Sequence, residues 1–402
     1  MKYLIYSFFL LSSLFIQSQD FSKLPVHSID DKTDFSFLKP VLEDKKVVLL
    51  GEMTHGDGAT FALKTEIVKY LHEELGFNVI ALEDGMYSFI KWREKMESGQ
   101  AEFEDIFKSM PYQWSGAAEM KELFAYLKVN PDLVFTGFDS YDNFLYRNEF
   151  LKEVDSLAKH LNVIKYQGFE EDFNFLMENR ASKIPPKRKR KGFYDFINKL
   201  SNGVNINCKG CRCRFWVRIL DGLLTQSQAW WDRSDDNIKN WWIQNPRDST
   251  MASNILWLLE DKYSDEKIIV WAANFHVAKN LEGSVKPHKY FQNEGVKTTG
   301  DYLSERIGKK MYTVGTISYT GSYSIPYEWH IQTIKEKSRK TLEHFMAQKH
   351  QKCFVDFSNY TDFSSFKMSG VSHYLELKGD WANVYDGVLF IKEMTPATYP
   401  DR

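Results

Sequence analysis

VVLLGEMTHG, residues Val47 to Gly56, carries the reading of the fold. Four apolar residues in succession suit a strand buried on both faces, and the run then delivers Glu52 and His55 into a loop. The residues that follow, Ala59 to Leu75, repeat apolar positions at helical spacing and close at Gly76. A second apolar run, Val79 to Leu82, ends in Glu83. Strand, helix and strand make a βαβ unit, whose right-handed crossover brings both strand ends to one edge of a parallel sheet.

Further out, Leu133 to Thr136 reads as a strand leading to Asp139, and Ile268 to Trp271 as one followed by Asn274 and His276. Tyr312 to Gly315, Cys353 to Asp356 and Gly387 to Ile391 are further strand-like runs, while Phe89 to Glu97, Glu119 to Val129 and Asp301 to Ile307 have helical spacing. The class expected is α/β: a mainly parallel central sheet flanked by helices, with a helical insertion and a smaller C-terminal α+β region. Residues 1–19 read as a signal peptide and 20–146 as the first part of the core. Residues 147–262 read as a helical insertion or cap, and 263–402 as the return to the core with the smaller subdomain. Ligands of such sheets bind beyond the carboxyl ends of the strands, so Glu52, His55, Glu83 and His276 are expected to line one cleft.

Composition sets the outer limits. The chain of 402 residues is 43% hydrophobic and 26% charged, enough apolar material for a large folded core. A net charge of −2 offers no electrostatic footprint for nucleic acid or an anionic membrane. Lys2, the apolar Leu4 to Ile16 and the polar Gln17-Ser18-Gln19 have the order of a secretory signal, so export is expected, with a periplasmic or secreted mature protein. The apolar run falls short of the roughly 20 residues that span a bilayer, and no later stretch reaches that length.

Cys208, Cys211 and Cys213 lie in CKGCRC, and Cys353 is distant. Zinc would want a fourth close ligand, and in an exported protein one or two disulfides pinning a local loop is the simpler expectation. The basic run Lys187 to Lys191 reads as a solvated loop, and Trp230, Trp231, Trp241, Trp242 and Trp257 as packing residues of the helical region.

No GxSxG, Walker A or HExxH sequence occurs, which removes the usual serine nucleophile elbow, phosphate loop and zincin. What survives is a histidine-carboxylate site. A neutral imidazole, with reference pKa near ~6.5, takes a proton from water when a carboxylate fixes its tautomer and balances the imidazolium that forms. Glu52 and Glu83 are placed for that, and His276 or Lys64 for stabilising an oxyanion or positioning substrate. This chemistry suits hydrolysis of an ester or lactone, a small-molecule substrate, with no cofactor. Each residue also has a structural reading: Glu52 as a helix cap, His55 and His276 as satisfied histidines, Asp248 as a cap, Arg247 and Asp139 as partners in an ion pair. Two glutamates and two histidines are equally acceptable to a metal.

Read together, GEMTHG, FALKTEIVKYLHEELGF, ALEDG, WAANFH, NPRDSTMASNILWLL, TGDYL and DGVLFIKEMTPAT resemble successive landmarks of the erythromycin esterase family. The resemblance implies a metal-independent esterase in which His55 activates water, with Glu52, Glu83 and His276 completing the site. Two positions depart from the family's pattern. Lys64 stands where arginine is common, keeping the charge without the bidentate fork, and Ala59 where glutamate is common. More distant relatives bind metal or haem, so a metal- or haem-binding protein is one alternative. A non-enzymatic interaction protein on an esterase-like scaffold is another.

Overall fold

In the computed structural model every residue is described except 1–20, 31, 33, 181, 208–209, 233–245, 326–329, 361–364, 372 and 401–402. The expected signal peptide, Cys208, Trp241 and Trp242 therefore lie outside the described residues.

Eleven strands are described: β1 (Val26–Ser28), β2 (Val47–Glu52), β3 (Val79–Gly85), β4 (Val134–Asp139), β5 (Ile268–Ala273), β6 (Met311–Ile325), β7 (His330–Ile334), β8 (Lys352–Asp356), β9 (Phe366–Met368), β10 (Leu377–Gly379) and β11 (Gly387–Met394). The main sheet runs β1-β8-β11-β6-β2-β5-β3-β4, with β7 on β6, and β9 pairs β10 separately. From β11 to β4 every neighbouring pair is parallel; antiparallel pairing is confined to β8 with β1 and β11, and to β7. The class is α/β with a mainly parallel central sheet.

Both faces of the sheet are covered, which explains the unbroken apolar runs. Val48, Leu50, Ile80, Leu82, Ile269 and Trp271 face the helix Gly58–Leu75 through Phe61, Ile67, Val68 and Leu71. The alternate residues Val47, Leu49, Val79, Ala81 and Val270 face the other side, packing in one core with Met251, Ile255 and Leu303 of the helices Pro246–Trp257 and Thr299–Ile307. Between β4 and β5 the chain is helical, with Arg147–His160, Phe169–Asn179, Lys187–Asn207 and Cys211–Trp231 joining that second core.

From β2 the chain crosses β5 to reach β3, whereas from β5 it crosses β2 in the opposite direction to reach β6. Loops leaving neighbouring strands in opposite directions open a crevice at the sheet's carboxyl edge, where ligands of such folds sit. That is where Glu52 and Asn274 emerge.

Two expectations are corrected. The run Lys187 to Lys191 is not a loop but the start of the helix Lys187–Asn207: lysine and arginine are good helix formers, and Pro185-Pro186 sets the start. β6 is far longer than the four residues expected, because its second half, SYTGSYSI, is polar and escapes an apolar-run criterion while pairing with β7 and β11. The expected disulfide of the cysteine cluster is present at Cys213, whereas Cys211 and Cys353 are free thiols, Cys353 buried in β8. Trp231 and Trp257 are buried in the core, as expected of packing residues. No helix among the described residues is long and apolar enough to cross a membrane.

Candidate active site

Glu52 closes β2, and because side chains alternate it points to the face covered by Gly58–Leu75. There Lys64, from the second turn of that helix, forms a buried ion pair with its Oε2. The Lys64 ammonium also lies 4.0 Å from the ring centroid of Trp271. Burial pulls its pKa down to about 8 against the pull of Glu52. Fully buried behind Glu52, Lys64 has no surface toward a ligand, which departs from the expected substrate contact.

The other oxygen of Glu52, Oε1, accepts from His55 Nδ1 at 3.1 Å. The loop carrying His55 is itself pinned. Asp57, fully buried, accepts from the Thr54 N–H at 3.0 Å and from Thr54 Oγ1 at 2.8 Å, and Thr54 Oγ1 accepts from the Gly56 N–H at 3.2 Å. The His55 ring meets Trp114 edge-on at 4.8 Å between centroids. About a quarter of the His55 side chain is exposed, more than of any of its charged partners. Its Nε2 faces Glu83 Oε1 at 3.9 Å. Burial works against protonation of His55, but the hydrogen bond to Glu52 and the charge of Glu83 outweigh it and raise the pKa above 6.5.

Glu83, at the end of β3, is the hub. Its Oε2 accepts the Ala273 N–H of β5 at 2.9 Å, and its Oε1 accepts from Arg247 Nη2 at 2.9 Å and lies 3.4 Å from His276 Nε2. Although burial disfavours its charge, His276, His55 and Arg247 hold its carboxyl well below the usual range. His276, just past β5, donates Nδ1–H to Asp248 Oδ1 at 2.8 Å. Burial opposes its charge, yet Asp248 and Glu83 push its pKa up to about 10, so it is an imidazolium at neutral pH.

Asp248 does more than hold His276. Its carboxylate also takes the Thr299 N–H and Thr299 Oγ1, both at 2.8 Å, and so fixes His276 against the next helix. Arg247, its neighbour, reaches the other way: Nε donates to Asp139 at 3.1 Å, Nη1 lies 3.3 Å from His276 Nε2, and the guanidinium stacks 4.8 Å from the Tyr141 ring. The guanidinium thus fills the place where Glu83, Asp139 and His276 converge, the place a divalent cation would need. Among the described residues no group of three or more His, Cys, Asp or Glu is arranged to hold a metal. Asn274 does not face the cleft; its amide ties β6 through Thr316 and reaches the Gly370 carbonyl.

Glu52, His55, Glu83 and His276 therefore converge, as expected from the sheet edge. Arg247, Asp248 and Asp139 prove central; the signal for the first two was the charged pair placed directly after a helix-starting proline in NPRDST, and for Asp139 its place just past a strand-like run. Trp114 had no such signal.

The erythromycin esterase family model matches residues 72–394. YbfO of Bacillus subtilis (strain 168), whose name is that of a hydrolase, is 27% identical over 90% of this chain and 87% of its own. Erythromycin esterase type II of Escherichia coli is 22% identical over 75% of each. Among solved structures, a Bacillus cereus protein superposes with a TM-score of 0.71 at 19% identity, covering 93% of this chain and 96% of its own. A mutant of the erythromycin esterase EreC in its open conformation superposes with a TM-score of 0.68 at 15% identity over 90% of this chain and 94% of its own. With a family model over most of its length, a histidine-carboxylate cleft and the matching sheet, the chain belongs to the erythromycin esterase family.

Proposed function

We propose that the protein hydrolyses a carboxylic ester or lactone with water activated by His55, without a metal. The observation that carries this reading is the orientation of His55: Nδ1 is held by Glu52 and Nε2 is left facing the cleft. A carboxylate on Nδ1 places the proton there, so the Nε2 lone pair is free to accept one from water. As the water oxygen bonds to the carbonyl carbon, its proton passes to His55 Nε2 and the carbonyl oxygen becomes an oxyanion. The His276 imidazolium and the Arg247 guanidinium are the fixed positive charges next to that point. Collapse of the tetrahedral intermediate breaks the C–O bond, and the imidazolium of His55 returns its proton to the leaving alcohol.

Glu83 balances the charge that His55 gains, and Lys64 holds the far oxygen of Glu52 from behind, fixing the carboxylate that orients His55. The guanidinium between Glu83, Asp139 and His276 is the reason for preferring this reading to the metal alternative. The test is hydrolysis of model esters and lactones, before and after exhaustive chelation, by wild type and His55→Asn. Activity that persists with chelator and is lost with His55 supports the reading; activity that needs added zinc removes it. Export, proposed from Lys2, Leu4 to Ile16 and Gln17 to Gln19, predicts a shortened, non-cytoplasmic product in a Gram-negative host. Retention of Met1 on the soluble pool would oppose it.

A further inference from the structure

A second cavity, of about 420 Å³, is lined by segments that adjoin two of the cleft residues along the chain. Met110 to Tyr112 lead directly into Trp114, the ring against His55, and Asn143 follows shortly after Asp139, the partner of Arg247. Three cations line the cavity, Lys108, Arg147 and Arg180, and no acid does. Lys108 is held by Asp105 at 2.5 Å. Arg147 and Arg180 have no carboxylate partner among the described residues. This is unlike the neighbouring helix, where Lys91, Arg93 and Lys95 each hold a carboxylate within 2.9 Å.

Both guanidiniums are nevertheless held in place, and by one residue. Arg180 Nη2 donates to Asn143 Oδ1 at 3.1 Å and Arg147 Nε donates to the Asn143 carbonyl at 3.3 Å, while Asn143 Nδ2 donates to the Ser109 carbonyl at 2.8 Å on the opposite wall. Each fork retains N–H groups that meet no protein acceptor among the described residues. Arg180 sits at φ 49°, ψ −126°, backbone that glycine adopts freely and arginine does not. Two positioned, uncompensated guanidiniums over a polar cavity are the arrangement that recognises an oxyanion through paired N–H groups.

We propose that this cavity is an anion subsite beside the cleft, taking a carboxylate or phosphate carried by the substrate. The ester cleaved at His55 is then an acidic one, an inference that rests on the hydrolase reading given above. Two cations with no protein acid between them favour a ligand group of one or two negative charges over a neutral or cationic one.

Calorimetric titration of the full chain with inorganic phosphate and, separately, with succinate tests the subsite without reference to catalysis. Wild type binds at least one, and the tighter identifies the group; Arg147→Gln and Arg180→Gln each weaken it about tenfold or more. Failure of wild type to bind either anion, or undiminished binding by both variants, overturns the proposal. The link to catalysis is read from 4-nitrophenyl hydrogen succinate against 4-nitrophenyl butyrate. The ratio of kcat/KM for the acidic over the neutral ester falls at least about tenfold in each variant, through KM. An unchanged ratio in both variants overturns the link. Arginine-dependent anion binding with neither ester hydrolysed leaves the subsite standing and removes the hydrolase reading.

Discussion

Asp248 holds the Nδ1 of His276 at 2.8 Å while its chain neighbour Arg247 binds the carboxylate that His276 faces on its other side. Two consecutive residues at one helix start thus set the charge of the histidine and the position of the acid opposite it. Asp248 and Glu83 raise the pKa of His276, whereas Glu52 and Glu83 raise that of His55.

His55→Asn should lower kcat/KM on a responsive ester by roughly 10²-fold or more, the usual scale for removing a general base. The loss should come without unfolding, because His55 is partly exposed and its neighbours keep their own partners. Circular dichroism beside the kinetic assay checks this; full activity in the variant would exclude His55 as the base.

His55 must be neutral to accept a proton, and its pKa is raised, so kcat/KM should fall with decreasing pH through a value above 6.5. Glu83→Gln removes one of the charges that raises it. In that variant the acid limb should move to lower pH as the maximal rate drops, and a limb that does not move would mean another group titrates.

The folded-state pKa of His276 is raised from 6.5 to about 10. A raised pKa means the native state binds the extra proton, so its contribution to stability is complete below pH 6.5 and lost as pH climbs toward 10. His276→Asn should therefore show a flatter decline of unfolding free energy across that window than wild type. Parallel curves from urea titrations would show that the charged pair with Asp248 is not formed.

Lys64→Met should destabilise the fold by about 3–5 kcal/mol, since it strands the buried Glu52 charge. Lys64→Met combined with Glu52→Gln should recover part of that stability but not the activity. A single variant as stable as wild type would place Glu52 in contact with water.

Gly51→Ala brings a Cβ to 2.3 Å from Asn274 Oδ1 and 2.9 Å from Val277 Cγ2. Asn274 is held by three hydrogen bonds to Thr316 and Gly370 and cannot swing aside. Overpacking of about 1–3 kcal/mol is expected, with β2 and β5 pushed apart beneath the cleft. Thermal denaturation would register it as a lowered Tm.

The strands were legible because burial on both faces leaves unbroken apolar runs, and with them the convergence of Glu52, His55, Glu83 and His276. The partners of Asp248 could not be read from sequence, because an aspartate at a helix start usually accepts from its own backbone, and only the packed helix Thr299–Ile307 shows that its carboxylate also reaches His276 and Thr299. Lys64 was misplaced for a related reason: helical spacing says which face a residue is on, not whether a carboxylate stands between it and the cleft. Trp114 reaches His55 from an irregular segment with no period to read.

Glu52 and Glu83 come from opposite sides of the sheet, one with the layer of Gly58–Leu75, the other with the layer of Pro246–Trp257. The two carboxylates meet at one imidazole, that of His55. A sideways shift of one layer against the other, too small to expose core, already changes both carboxylate distances at His55. Inactivation should therefore run ahead of unfolding in mild denaturant, with ester turnover failing while tryptophan fluorescence still reports a folded chain. In this architecture His55 doubles as a gauge of how the two halves of the scaffold are seated.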